Sequence, residues 1–164
     1  MEIRRARTRD IKAIRALVDA YTADRRLLSK ATVTLYESVQ EFWVAVDEQD
    51  RVLGCGALHV MWEDLAEIRT VAVDPAVRGH KIGHKIVSCL LDIARDLGVA
   101  RVFCLTFETR FFGSFGFTEI DGAPVPHAVY EQLLRSYDEG VAEFLDLERV
   151  KPNTLGNTRM LLHL

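Results

Sequence analysis

The sequence has little of what marks several large protein classes. It has only three cysteines, Cys55, Cys89 and Cys104, widely spaced and without the paired spacing of a metal knuckle. An odd, scattered set is no disulfide framework, and it reads as reduced core thiols of a cytoplasmic protein. Net charge is only −3, so no global field draws the chain to nucleic acid or to an anionic membrane. No apolar run approaches the roughly 20 residues that span a bilayer. Met1-Glu2-Ile3-Arg4-Arg5 carries no apolar signal region. Internal repeats, low-complexity tracts and an inter-domain linker are also missing. What remains is 164 residues, 49% hydrophobic and 27% charged. That is enough for one domain with a real core.

Periodicity lays out the elements. Glu2 to Ala6 reads as a short strand. Thr8 stands as the N-cap of a helix whose apolar face is Ile11, Ile14, Leu17, Val18 and Tyr21. A polar loop, Thr22 to Ala31, contains Leu27, Leu28 and Lys30, and a short helix follows over about 32–39. Phe42, Val44 and Val46 alternate as a strand does. The chain turns at Asp47-Glu48-Gln49-Asp50 and returns over Arg51 to Met61, a hairpin. Gly54 and Gly56 inside that return predict a bulge or a close backbone approach.

Ala66 to Val73 is the next strand. A long helix then carries Ile82, Ile86, Leu90, Ala94 and Leu97 on one face, with Gly98 at the C-cap. Val99 to Thr106 follows as a strand, and the intervening helix makes it parallel to its predecessor. Thr109 opens a short helix with Phe111, Phe112 and Phe115, and a strand runs on through Ile120. A helix carries Val129, Leu133, Leu134 and Tyr137. Val141 to Leu147 fits no single period, and Arg159 to Leu164 closes as a strand. The order β-α-α-β-β-β-α-β-α-β-α-β predicts one α/β domain, residues 1–164, on a mixed sheet.

The centre of the chain is the segment between the strand that Asp74-Pro75 ends and the long helix: Arg78-Gly79-His80-Lys81-Ile82-Gly83. Glycine lets backbone approach a ligand, and a helix N-terminus offers unpaired N–H groups to an anion. The segment resembles the acyl-coenzyme A signature of the GCN5-related N-acetyltransferases: Arg or Gln, two residues, Gly, one residue, then Gly or Ala. Arg78 and Gly83 fit. Lys81 stands at the central glycine and brings a positive charge instead.

Phe111-Phe112-Gly113-Ser114-Phe115-Gly116-Phe117 resembles that family's Phe-Tyr, three residues, Gly-Phe. In many members the tyrosine protonates the leaving thiolate. Its position is Phe112 here, which has no proton to give, and Ser114 beside it reads as a solvated helix serine. A more extended likeness is to stand-alone actinobacterial-type N-acetylglutamate synthases. It runs through Leu58-His59-Val60, Glu67 to Pro75, Leu105 to Thr109, Val150 to Asn153 and Gly156 to Leu162. The 164 residues leave no room for the amino-acid-kinase-like domain of the two-domain synthases.

The resemblance implies an α/β fold, a mixed central sheet with a splayed parallel strand pair and flanking helices. It implies direct acetyl transfer from acetyl-CoA to the α-amine of L-glutamate, the first step of arginine biosynthesis. Pantetheine is expected along Val71, Ala72 and Val73, between the splayed strands. The pyrophosphate is expected at Arg78, Gly79, His80, Lys81, Ile82, Gly83 and His84. Glu67 is the candidate base, a salt bridge to Arg69 being its structural alternative.

An acceptor with two carboxylates needs cations, and Lys30 and His59 are the candidates. Arg69, Leu105, Thr106, Asn157 and Thr158 complete the acceptor side. Two alternatives stay open: another acceptor, such as glutamine, or an acyl-CoA- or arginine-responsive regulatory module. The implied partner is a small amino acid, with no nucleic acid and no membrane, and a homodimer is left open. His80 and His84 have metal-ligand spacing, but no third ligand is evident and Lys81 stands where a hydrolytic zinc motif has glutamate, so no metal is expected.

Overall fold

Seven segments pair into a mixed sheet. They are β1 (Glu2–Arg5), β2 (Phe42–Val46), β3 (Val52–Trp62), β4 (Leu65–Val73), β5 (Arg101–Thr106), β6 (Thr118–Glu119) and β7 (Thr158–His163). Their order across the sheet is β1-β2-β3-β4-β5-β7-β6. The helices are α1 (Ile11–Thr22), α2 (Thr32–Glu37), α3 (Ile82–Asp96), α4 (Thr109–Gly113), α5 (His127–Leu133) and α6 (Glu139–Phe144). The computed structural model describes residues 1–22, 30–153 and 156–164; Leu27 and Leu28 of the expected loop lie outside them. Among the described residues no helix is long and apolar enough to cross a membrane.

β4 and β5 run parallel, as the helical crossover between them requires. Their ladder covers Leu65↔Arg101, Ala66↔Val102 and Glu67↔Phe103, although β4 continues to Val73 and β5 to Thr106. The pairs β1–β2, β2–β3, β5–β7 and β6–β7 are antiparallel.

The chain forms two compact units. The first comprises Met1–His59 and Ile68–Leu97. The amphipathic stripe of α1, Ile11, Ile14, Leu17 and Val18, is buried with Leu35 of α2, Phe42 and Val44 of β2, Cys55 of β3 and Ala72 of β4. Thr8 does not cap the turn that leads into α1. Asp10 does: its Oδ2 accepts the Arg7 N–H at 2.7 Å and the Arg4 guanidinium at 2.8 Å. Burial opposes ionisation of Asp10, but these donors outweigh it and hold the carboxyl below the usual carboxylate range.

Gly54 and Gly56 meet both expectations for them. The β2–β3 register shifts between Ala45↔Gly54 and Val46↔Val52, which is a bulge. The backbone is also approached closely by α3. A Cβ on Gly54 would stand 3.0 Å from Ile86 Cδ1, and one on Gly56 only 2.8 Å from Ile86 Cγ2.

The second unit comprises Val60–Glu67 and Gly98–Leu164. Its core gathers Met61, Leu65, Phe103, Leu133, Val141, Phe144 and Leu161. The stretch without a clear period overlaps the end of α6, which is capped by Asp138, whose Oδ1 accepts the Val141 N–H at 3.1 Å. Six residues are too few for a 3.6-residue repeat to declare itself. α5 ends at Leu133, and Tyr137, expected on its apolar face, is 99% exposed. Thr109 begins α4 but Glu108 holds the N-cap position, and Thr106 Oγ1 accepts the Glu108 N–H at 2.8 Å.

Candidate active site

In the first unit, β4 leads through Asp74 into the loop. Asp74 Oδ1 accepts the Ala76 N–H at 2.9 Å, fixing one 3-10 turn over Pro75–Val77. Val71, Ala72 and Val73 end the strand, with only Ala72 fully buried. Arg78, Gly79, His80 and Lys81 are exposed, and α3 begins at Ile82.

Lys81 has φ 56° and ψ 26°, the left-handed conformation that glycine enters freely. This accounts physically for the glycine of the family pattern: the turn into α3 demands that conformation whichever residue supplies it. No side chain caps α3 through Lys81, so the N–H groups of its first turn have no intrahelical partner. Gly79 has φ 90°, and a Cβ there would meet open space. Uncapped amides, two local cations and open backbone fit a pyrophosphate.

Tyr21 is a component that periodicity had assigned only to the apolar face of α1. Its hydroxyl donates to the Val73 carbonyl at 2.6 Å. Arg78 lies over its ring, 5.7 Å from the centroid, with Nη2 3.4 Å from the hydroxyl. Thr70 is a second surprise. It is a buried, β-branched residue at φ 58° inside a strand, and its carbonyl accepts from Cys55 Sγ at 3.5 Å. A β-branched side chain in that region is strained.

His59 and Arg69 are brought together by a residue that sequence reasoning missed. Glu41, just before β2, accepts from His59 Nδ1 at 2.7 Å and from Arg69 Nη2 at 3.3 Å. A carboxylate only accepts, so Nδ1 carries the proton of that bond. Burial opposes the Glu41 charge, but His59 and then Arg69 outweigh it and hold the carboxyl below its ordinary value. Lys30 is half-buried, and its carbonyl accepts the Arg15 guanidinium of α1.

In the second unit, Glu67 is 5% exposed and stands opposite Phe103 in the parallel ladder. Its carboxylate lies against the backbone of Gly140 in α6. The nearby Cys104 thiol is pushed well up, by burial first and then by the Glu67 charge. Thr106 and Thr158 are direct partners across β5 and β7, Leu105 faces Arg159, and Asn157 immediately precedes β7. Gly156 turns the tail onto Phe107. The Arg159 guanidinium is occupied with backbone, donating to the carbonyls of Glu143 at 2.8 Å and Gly122 at 2.7 Å. Phe112 is buried, edge-on to Phe117 with centroids 5.4 Å apart. Ser114 Oγ donates to the Phe111 carbonyl at 2.6 Å. Among the described residues no three His, Cys, Asp or Glu side chains converge as a metal site.

A mixed sheet with one parallel pair, and a left-handed turn opening an uncapped helix beside an arginine, define an acyl-coenzyme A-dependent acetyltransferase. The chain belongs to the acetyltransferase (GNAT) family, which it matches over residues 8–117. Acetyl-CoA is its co-substrate and acetyl transfer its reaction. It is 65% identical over 162 residues to the amino-acid acetyltransferase of Mycobacterium tuberculosis, covering 98% of this chain and 92% of that one. The structure of Rv2747 from Mycobacterium tuberculosis in complex with CoA and NLQ matches with a TM-score of 0.95 at 64% identity, covering 100% of this chain and 99% of that chain. N-acetylglutamate synthase from Neisseria gonorrhoeae, complexed with coenzyme A and N-acetyl-glutamate, shares the fold: TM-score 0.79 at 22% identity, over 99% of this chain and 35% of that one.

Proposed function

We propose that this chain transfers the acetyl group of acetyl-CoA to the α-amine of L-glutamate in the cytoplasm, the first step of arginine biosynthesis. The observation that carries the reading is the near full-length identity to an amino-acid acetyltransferase. In this reading the pyrophosphate meets the first turn of α3 with Arg78 and Lys81, and pantetheine follows Val71 to Val73. The neutral amine attacks the thioester carbonyl, the N–C bond forms, and the C–S bond breaks to release the coenzyme A thiolate. The proton lost by the substrate ammonium goes to Glu67 through water. Phe112 has no proton to give, so the second proton, lost by the nitrogen once the N–C bond has formed, passes through water to the departing sulfur.

Holding amine and thioester in one place supplies much of the rate, and the loop and strand do that. The acceptor's carboxylates are read by Lys30, His59 and Arg69, with Leu105, Thr106, Asn157 and Thr158 lining the acceptor side.

Glu41 favours a second reading. Its carboxylate offsets one positive charge of the His59–Arg69 pair. A pair so neutralised suits the amide of glutamine better than a second carboxylate.

Turnover of acetyl-CoA with glutamate, glutamine, aspartate and no acceptor separates the readings. Glutamate should exceed aspartate by roughly ten- to two-hundred-fold, the usual value of one methylene. Lys30→Ala and His59→Ala should raise the glutamate KM and leave that of acetyl-CoA unchanged. Equal use of glutamine overturns the side-chain cations, and turnover of neither overturns the acceptor assignment.

A further inference from the structure

Gly140 occupies the second position of α6, in the first turn after the Asp138 N-cap. Its φ is not in the left-handed region, so the backbone makes no demand for glycine. Space does. A Cβ built on Gly140 would collide with the Glu67 Oε2 atom, stand 2.8 Å from Glu67 Cδ and lie 3.0 Å from Asp138 Oδ1. The missing side chain is thus the room in which the Glu67 carboxylate sits. Glu67 is 5% exposed and Glu143 of the same helix 4%, so neither has a solvent route by which to step aside. Asp138 Oδ1 lies beside the same Gly140 Cβ position, and the Cys104 thiol on β5 feels the Glu67 charge.

We infer that Gly140 is a positioning residue for acetyl transfer: its bare backbone sets where the Glu67 carboxylate stands. This rests on the reading of Glu67 as proton acceptor. α6 is the wall and Glu67 the group it aims. A methyl group there displaces the carboxylate from the amine. Misplacement of about 1 Å at a reacting group costs on the order of a hundred-fold in rate.

The test uses the full chain with Gly140→Ala, Glu67→Gln, Glu67→Ala and the double variant Glu67→Ala/Gly140→Ala. Each is assayed for kcat against pH, for both KM values and for thermal midpoint. Gly140→Ala should lower kcat on the order of a hundred-fold with the acetyl-CoA KM unchanged, and its pH profile should shift towards that of Glu67→Gln. Once the carboxylate is gone, the methyl group no longer meets Glu67 and is left with the 3.0 Å contact to the capping Asp138 Oδ1. The double variant should therefore match Glu67→Ala in kcat, whatever that remaining contact does to the midpoint.

Wild-type kcat in Gly140→Ala, beside an inactive Glu67→Ala, overturns the inference and leaves the reading of Glu67 intact. A double variant with a kcat below that of Glu67→Ala overturns it too, because the methyl group then acts on turnover through something other than the carboxylate. Wild-type turnover in Glu67→Ala overturns the reading of Glu67, and the inference with it.

Discussion

The hydroxyl of Tyr21, near the end of α1, donates to the carbonyl of Val73, the last residue of β4, at 2.6 Å. One phenol therefore tethers the strand end while its ring and oxygen hold the Arg78 guanidinium. Tyr21→Phe keeps the ring and removes the tether. A net hydrogen bond contributes about 0.5–1.5 kcal/mol, so the acetyl-CoA KM should rise by roughly two- to ten-fold with little change in kcat. Tyr21→Ala should raise it further. Steady-state kinetics with varied acetyl-CoA decide the point.

Lys81 carries two opposed effects. Its left-handed backbone is strained, so Lys81→Gly should stabilise the fold by about 1 kcal/mol. The lost charge should weaken acetyl-CoA binding and make it less dependent on salt. Thermal unfolding checks the first effect, and acetyl-CoA titration at two ionic strengths the second. An unchanged salt dependence would remove Lys81 from the phosphates.

Glu41 links the fold to pH. Its carboxyl lies below the ordinary value of 4.5, so its contribution is complete above that value and is lost as pH falls through the folded one. Glu41→Gln should flatten that part of the acid limb of stability, measured by denaturant unfolding between about pH 3 and 6. It should also move selectivity towards glutamate over glutamine, because the pair it leaves is more positive. A variant with the wild-type acid limb would place the titration elsewhere.

Gly56 tests the close seat of α3. Gly56→Ala forces a methyl group against Ile86 Cγ2 and Leu90 Cδ1, now 2.8 and 3.0 Å from the Cβ position. Overpacking of this kind costs about 1–3 kcal/mol, read as a lowered unfolding midpoint. Since α3 also carries the first-turn amides, the acetyl-CoA KM should rise in parallel.

Much of the architecture was legible because its signals are local. The α3 stripe repeats over four turns, Gly98 follows its last turn at φ 84°, and Asp47 to Asp50 mark the turn between β2 and β3. The cofactor loop was legible for the same reason, since turn, glycine and helix start are contiguous. Glu41 was not, because its partners lie 18 and 28 residues further on. Tyr21 was read as an ordinary apolar position, since nothing nearby announces a carbonyl 52 residues away. Thr70 was hidden by its own preference: a β-branched residue inside a strand predicts extended backbone, and its φ is 58°. Asp10, not Thr8, caps the first turn because an acid two residues on reaches back and pairs with Arg4 as well.

The three cysteines have a practical consequence at the bench. Cys55 is pushed up to about 12 by burial, Cys104 well up by burial and the Glu67 charge, and Cys89 up by burial and Asp92. Cys55 and Cys104 are also buried, out of reach of a chromogenic disulfide, and Cys89 is partly exposed. Coenzyme A liberated by turnover can therefore be counted continuously by its colour reaction, with Cys89 as the protein thiol to subtract.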